Sequence, residues 1–157
     1  MANRQVTSED VAKHAGVSRT TVSLVVNGVH NIKIIKEFRN DLPEILVDPA
    51  QIQQVFINII LNAEYAMVHA YGKGTLRIKS EIAENMVKVT FTDDGPGIDP
   101  ANLRHIFDPF FTTKEVGKGT GLGLSICYGI ITAHNGRIYA QSEQGKGATF
   151  IIMLPLR

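Results

Sequence analysis

From Asp48 to about Tyr71 the chain carries one continuous helical pattern. Ile52, Val55, Phe56, Ile59 and Ala63 recur at the spacing that stacks side chains on a single helix face. Asp48-Pro49 supplies the start: a carboxylate that can cap free N–H groups, then a proline whose missing N–H is no loss at the first helical position. A long helix with one apolar stripe must bury that stripe against a second layer, and the flanking segments provide it. Residues 75–82 and 86–93 read as strands joined by a turn around Ala83-Glu84-Asn85. Residues 137–142 and 148–154 read as a hairpin across Glu143-Gln144-Gly145-Lys146-Gly147. Residues 32–38 form a further β-rich stretch, and Leu42-Pro43 follows it as a breaker. A second helix is expected over 122–134, closed by Asn135-Gly136, and a short one over 103–106. The fold expected is of α+β class, an α/β sandwich of a mixed sheet with three helices on one face.

With 157 residues the chain is long enough for one domain with a sizeable core and a small extra piece. The formal net charge of +1 argues for neither a nucleic-acid nor a membrane partner. One cysteine, Cys127, excludes an internal disulfide and suits a reducing compartment; among apolar neighbours it reads as core. No apolar run approaches the ~20 residues needed to span a bilayer, and the N-terminus lacks a signal-peptide stretch. A cytoplasmic location is therefore expected, whether or not a longer protein is tethered elsewhere to a membrane.

The 14 glycines concentrate at Gly95 and Gly97, between Gly117 and Gly123, and at Gly145 and Gly147, which points to loops as the carriers of function. Asn58 and Asn62, four apart on the long helix, place two amides on one face, to hydrogen-bond locally or to meet a polar ligand. Asp93-Asp94-Gly95-Pro96-Gly97-Ile98 follows a strand directly. That strand delivers a carboxylate able to accept from an exocyclic amine, although Asp-Gly-x-Gly is also an ordinary turn. The run from Gly117 to Ser125 opens a helix, so its backbone N–H groups and the positive dipole end suit phosphates. It is not a P-loop, since no Gly-Lys-Ser/Thr closes the spacing.

Taken in order, these pieces closely resemble the ATP-binding catalytic domain of sensor histidine kinases, in the superfamily that includes gyrase-type, chaperone and mismatch-repair ATPases. The matching motifs are 54–63, 93–98, 107–114, 117–125 and 145–150, within a domain taken as residues 30–157. The resemblance implies ATP and Mg²⁺ as cofactors, with Asn58 and Asn62 as catalytic residues. Asn62 is implied as metal ligand, Asn58 as close to the phosphates, and Asp93 as reader of the adenine amine. Gly97 is implied as shaping the adenine pocket, and Thr149 as a hydroxyl beside it. Gly119, Gly121 and Gly123 are implied as the phosphate-contacting backbone. Gly95, Ile98, Phe107, Lys114, Lys118, Thr120, Leu122 and Leu124 complete the implied nucleotide-binding set. Residues 112–119 resemble a mobile lid, with Phe110 and Phe111 either its apolar hinge or plain core.

Two departures bear on the chemistry. The family often has a basic residue three positions after the metal-binding Asn; here Tyr65 stands there, with Lys114 and Lys118 near enough in sequence to supply charge. Hydrolytic members of the superfamily place a water-activating Glu four residues before that Asn, where this chain has Asn58. A neutral imidazole carries its own lone pair and needs no such base, so the position favours transfer to histidine. Family members carry the acceptor histidine on a separate dimerisation domain, followed by an acid. His14, His30, His69, His105 and His134 all lack a following acid. The implied partners are that missing domain and, downstream, a response regulator. A stand-alone ATPase is the alternative enzyme.

Residues 6–28 resemble the helix-turn-helix of the LacI repressor family, from Val6-Thr7-Ser8-Glu9-Asp10 to Val26-Asn27-Gly28. The stretch assigned to it, residues 1–29, is too small to bury a core, and the β-rich segment begins almost at once. Arg4, Lys13 and Arg19 face only Glu9 and Asp10, a net +1, so DNA binding is doubtful. This segment reads as a fusion, with a DNA-binding regulator as the competing possibility.

Overall fold

The computed structural model describes residues 31–156. The helix-turn-helix expected over 6–28 lies outside them. Five strands, β1 (Ile32–Phe38), β2 (Gly74–Ala83), β3 (Met86–Asp93), β4 (Arg137–Ser142) and β5 (Ala148–Pro155), form one sheet in the order β1-β2-β3-β5-β4. β1 pairs with β2 in parallel; the other pairings are antiparallel, which makes the sheet mixed as expected. A parallel neighbour needs a crossover, and helix α1 (Pro49–Tyr71) is that crossover. The β2–β3 turn puts Glu84 and Asn85 at φ 53° and 57°, the left-handed pair that a two-residue hairpin loop requires.

α1 forms where its sequence signals lie. Asp48 accepts from the Ala50 and Gln51 N–H groups at the start, and Gly72 ends the helix in the left-handed conformation. Ile52, Val55, Ile59 and Met67 are buried to 2% exposure or less, each contributing about 1.5–3 kcal/mol relative to an exposed side chain. Phe56 is only half-buried and packs against Phe91 of β3, with ring centroids 5.3 Å apart. Helix α3 (Gly123–Ala133) buries Cys127 and Ile131 against the same core.

The short helix differs from expectation. α2 spans Pro100–Leu103, not 103–106, because Asp99 and Pro100 repeat the start signal used by α1. Asp99 accepts from the Ala101 N–H, and Ile106 is buried in the turns that follow. The core face of the sheet is Val87, Val89, Phe91, Phe150, Ile152 and Leu154. On the opposite face, Ile151 and Met153 of β5 are also buried, between Thr90 and Tyr139 and between Lys88 and Arg137 respectively.

α1 and α3 run antiparallel side by side. Where α1 begins, the Asp48 N–H donates to Nε2 of His134 (3.0 Å), and Nδ1 of the same ring donates to the Ile130 carbonyl (2.8 Å). A carbonyl on one nitrogen and an N–H on the other fix the neutral ring with its proton on Nδ1. Halfway along α1, Nδ2 of Asn58 donates to the Gly123 carbonyl (3.2 Å) and lies 3.6 Å from Sγ of Cys127. These contacts set the first turn of α3 beside the far half of α1, where the site lies.

Candidate nucleotide site

A cavity of about 380 Å³ opens between α1, α3, the end of β3 and the segment 111–121. At one end stands Asp93, only 6% exposed. β3 carries it inward because Val87, Val89 and Phe91 occupy the same face. Oδ1 of Asp93 accepts from the Gly95 N–H (2.9 Å) and the Ala148 N–H (3.2 Å), which leaves Oδ2 as the oxygen for a ligand. Burial raises the pKa of this carboxyl above the ordinary carboxylate range. The two N–H bonds lower it in part, and neighbouring Asp94 raises it further. Asp94 points elsewhere, accepting from the Thr75 N–H at the start of β2 (2.8 Å).

Two loops are locked together beside Asp93. The Gly145 N–H donates to the Pro96 carbonyl (2.7 Å). Ser142 Oγ accepts from the Ile98 N–H (2.8 Å) and donates to the Gly147 carbonyl (2.8 Å). Gly147 has φ +83°, and a Cβ there would stand 2.0 Å from the Asp93 carbonyl oxygen. The backbone of the last glycine motif therefore seats against Asp93. Ile98, Ile106, Leu124 and Phe150 add apolar walls suited to a flat ring.

The other end is polar. Asn62 and Tyr65 of α1 line it, with Lys114, Gly119, Thr120, Gly121 and Gly123 opposite. No side chain caps the start of α3, so its first-turn N–H groups remain for an anion. The Phe110 N–H donates to the Gly121 carbonyl (2.8 Å), and a Cβ on Gly121 would meet the Phe110 backbone at 2.4 Å. This pair pinches the base of a loop over residues 111–120. Phe110 is 75% exposed at φ 67°, whereas Phe111 faces the cavity and packs on the core, so the two Phe residues part company. Lys114 Nζ donates to Oδ1 of Asn62 (3.3 Å) and lies 4.4 Å from the Tyr65 ring centroid. Burial lowers the pKa of this lysine.

The structure thus brings Asn62, Asp93, Gly97, Ile98, Lys114, Gly119, Thr120, Gly121, Gly123 and Leu124 around one cavity. Other implied residues stand outside its lining. Asn58 tethers α3. Gly95 holds Asp93. Phe107 packs against Tyr128 and Phe150, and Leu122 takes the turn before α3. Lys118 does not line the cavity itself but is ion-paired (2.9 Å) with Glu115, which does. Thr149 is the clearest departure: its hydroxyl lies 3.1 Å from that of its cross-strand partner Thr92, on the sheet face opposite Asp93. The residues of that motif that reach the site are Ala148, through its N–H, and Phe150, as an apolar wall. Ser142 and Tyr65 had no role assigned from sequence, because nothing in their local pattern reports the loops and lysine they hold.

Among known proteins, residues 47–157 match the family described as histidine kinase-, DNA gyrase B- and HSP90-like ATPase. Residues 7–40 match the bacterial regulatory proteins of the lacI family, a stretch that runs into β1. Sensor kinase CckA of Brucella abortus is 43% identical over 138 residues, covering 80% of this chain and 14% of the relative. Sporulation kinase E of Bacillus subtilis is 38% identical over 143 residues, covering 90% and 19%. The chain thus spans less than a fifth of the length of these two curated relatives. The catalytic domain of histidine kinase ThkA superposes with TM-score 0.74 at 34% identity, covering 92% of this chain and 93% of that one. Full-length ShkA in complex with AMPPNP superposes with TM-score 0.73 at 26% identity, covering 94% and 29%. With the family model over most of its length and a near-complete match to a solved kinase domain, the chain belongs to the histidine kinase-, DNA gyrase B- and HSP90-like ATPase family and is the catalytic ATPase domain of a sensor histidine kinase.

Proposed function

We propose that this domain holds ATP with its adenine amine on Asp93 and its phosphates at the start of α3, and presents the γ-phosphoryl to a histidine on a separate dimerisation domain. The observation that carries the reading is the cavity itself. A buried carboxylate with one oxygen left for a donor lies at one end, and an uncapped, glycine-lined helix start at the other. Neutral glycine N–H groups stabilise the triphosphate and the charge that develops on transfer, which is the main demand of phosphoryl transfer. The apolar walls exclude water from the adenine end.

The donor set fits Mg²⁺. Asn62 offers a hard amide oxygen, and that oxygen already accepts from a cation, the Lys114 ammonium. No group of three or more His, Cys, Asp or Glu suited to a metal occurs among the described residues. A metal here would be held by Asn62 with the nucleotide and water supplying the rest. When bound, it would neutralise charge on the phosphates.

The acceptor histidine and a response regulator belong to other domains or proteins, and the location proposed is cytoplasmic. No helix among the described residues is long and apolar enough to cross a membrane. The test is incubation with γ-labelled ATP, with and without a histidine-bearing dimerisation domain. Label appearing on that domain as acid-labile phosphohistidine, with slow phosphate release by the chain alone, is the expected result. Rapid steady release of phosphate by the chain alone would favour the stand-alone ATPase instead.

A further inference from the structure

Lys114 is a partly buried ammonium with an incomplete set of partners. Among the described residues it lies within ion-pairing distance of no carboxylate, whereas Lys118, four residues on, is neutralised by Glu115. Its contacts are a neutral amide oxygen, Asn62 Oδ1 at 3.3 Å, and the face of Tyr65 at 4.4 Å. Each of these attracts a cation without cancelling its charge. The position is also built. The Lys114 N–H donates to Thr112 Oγ1 (3.1 Å), and the lysine stem fills the space where a Cβ on Gly119 would stand, 2.9 Å from Lys114 Cδ. Tyr65 is fixed in turn by His69, one turn along α1, whose ring stacks on it at 5.3 Å with a 7° interplanar angle. A charge held at a cavity wall without a counter-ion calls for an anion in the cavity.

We propose that Tyr65 and Lys114 act as one unit in which the ring seats the ammonium, and the ammonium meets the terminal phosphate of ATP and sets the preference for ATP over ADP. This rests on the nucleotide-binding reading above. Lys114 lies against Asn62, whereas Gly95 beside Asp93 packs at Met67, more than a helical turn further along α1, so a nucleotide anchored by its adenine on Asp93 and running towards the start of α3 brings its last phosphate towards the ammonium. The site replaces a charge fixed on α1 by an aromatic seat on α1 and a charge on the loop.

The experiment measures ATP and ADP affinities of the full chain by calorimetry, with thermal melting of each variant as a check on folding. Lys114→Met should lower ATP affinity about 10- to 30-fold and ADP affinity less than about threefold. Tyr65→Ala should show the same selective loss in smaller measure, and Tyr65→Phe, which keeps the ring, should restore the preference. The decisive variant returns the charge to α1: the double change Tyr65→Lys with Lys114→Met should regain most of the ATP preference. An ATP-to-ADP ratio that stays constant across folded variants, or equal losses for both nucleotides, would overturn this assignment while leaving nucleotide binding intact. A wild-type chain that bound neither nucleotide would overturn both readings.

Discussion

Asp93→Asn separates what the site needs from what the fold needs. The substitution keeps side-chain size and one oxygen, which continues to accept from the Gly95 and Ala148 N–H groups. It replaces the other oxygen with an NH₂, so a donor faces the adenine amine, itself a donor. Loss of a charged hydrogen-bond acceptor costs about 1.5–3 kcal/mol, or one to two decades in affinity for both ATP and ADP. Stability should move the other way. Burial raises the Asp93 carboxyl, so the folded state carries a penalty for the ionised form at neutral pH, about 1.4 kcal/mol for each pH unit of the rise. The sign follows from linkage. A carboxyl raised in the folded state makes the wild type gain stability as pH falls through its folded value. The gain is complete below the ordinary unfolded value near ~3.9 and is lost again as pH rises. The nucleotide-free Asn variant should therefore melt no lower than wild type at pH 7, with any advantage shrinking as pH falls; each kcal/mol corresponds to about 3–5 °C in a domain of this size. Calorimetry with ATP and pH-resolved melting curves test the two halves. Equal nucleotide affinity would refute the adenine assignment, and a variant clearly less stable at neutral pH would refute the burial argument.

Asn62→Ala should reduce phosphotransfer to a partner dimerisation domain far more than it reduces ATP affinity, measured by label transfer and calorimetry, because its amide oxygen is assigned to the metal; a normal transfer rate would dismiss that role. Gly147→Ala forces a Cβ to within 2.0 Å of the Asp93 carbonyl at a positive φ, so melting should fall by several degrees and ATP affinity with it. His134→Ala removes the acceptor of the Asp48 N–H and should cost about 0.5–1.5 kcal/mol in denaturant unfolding, with ATP affinity changed less than about threefold. Residues 1–29 should confer no sequence-specific DNA binding, since their net charge is only +1 and the lacI-family match continues into a strand of the sheet; a hundredfold preference for a palindromic LacI-type operator over scrambled DNA would reverse that view.

The elements legible in the sequence were those whose start, period and end agree. α1 carries a cap, an apolar stripe and a terminating glycine, and it lies where those signals place it. Asp93 was legible because strand parity puts it on the buried face with Phe91. The same parity bears on Thr149: with Phe150, Ile152 and Leu154 turned inward, residue 149 must turn outward, and a motif-based role overrode that alternation. The residues that could not be read are those whose role comes from tertiary contact. The lysines at 114 and 118 are alike in sequence, but loop geometry turns one towards the cavity and pairs the other with Glu115. Ser142 looks like an ordinary strand end, yet it ties both glycine loops together. The burial of Ile151 and Met153 on the outer sheet face depends on long neighbours two strands apart, which no local window contains.

Asn58 joins the fold argument to the chemical one. Its Nδ2 donates to the carbonyl of Gly123, the first residue of the helix whose uncapped N–H groups are proposed to meet the phosphates. A carboxylate at this point would set an acceptor against an acceptor and add negative charge beside a triphosphate. Anchoring α3 and activating a water are therefore competing uses of one position, and the amide serves only the first. Water attack on ATP needs a base to take its proton, whereas a neutral imidazole attacks with a lone pair it already has. The contact that secures the first turn of α3 is thus the same one that withholds a base from water at this place, and it does so without impeding a histidine nucleophile. This supports phosphoryl transfer over hydrolysis from packing as well as from residue identity.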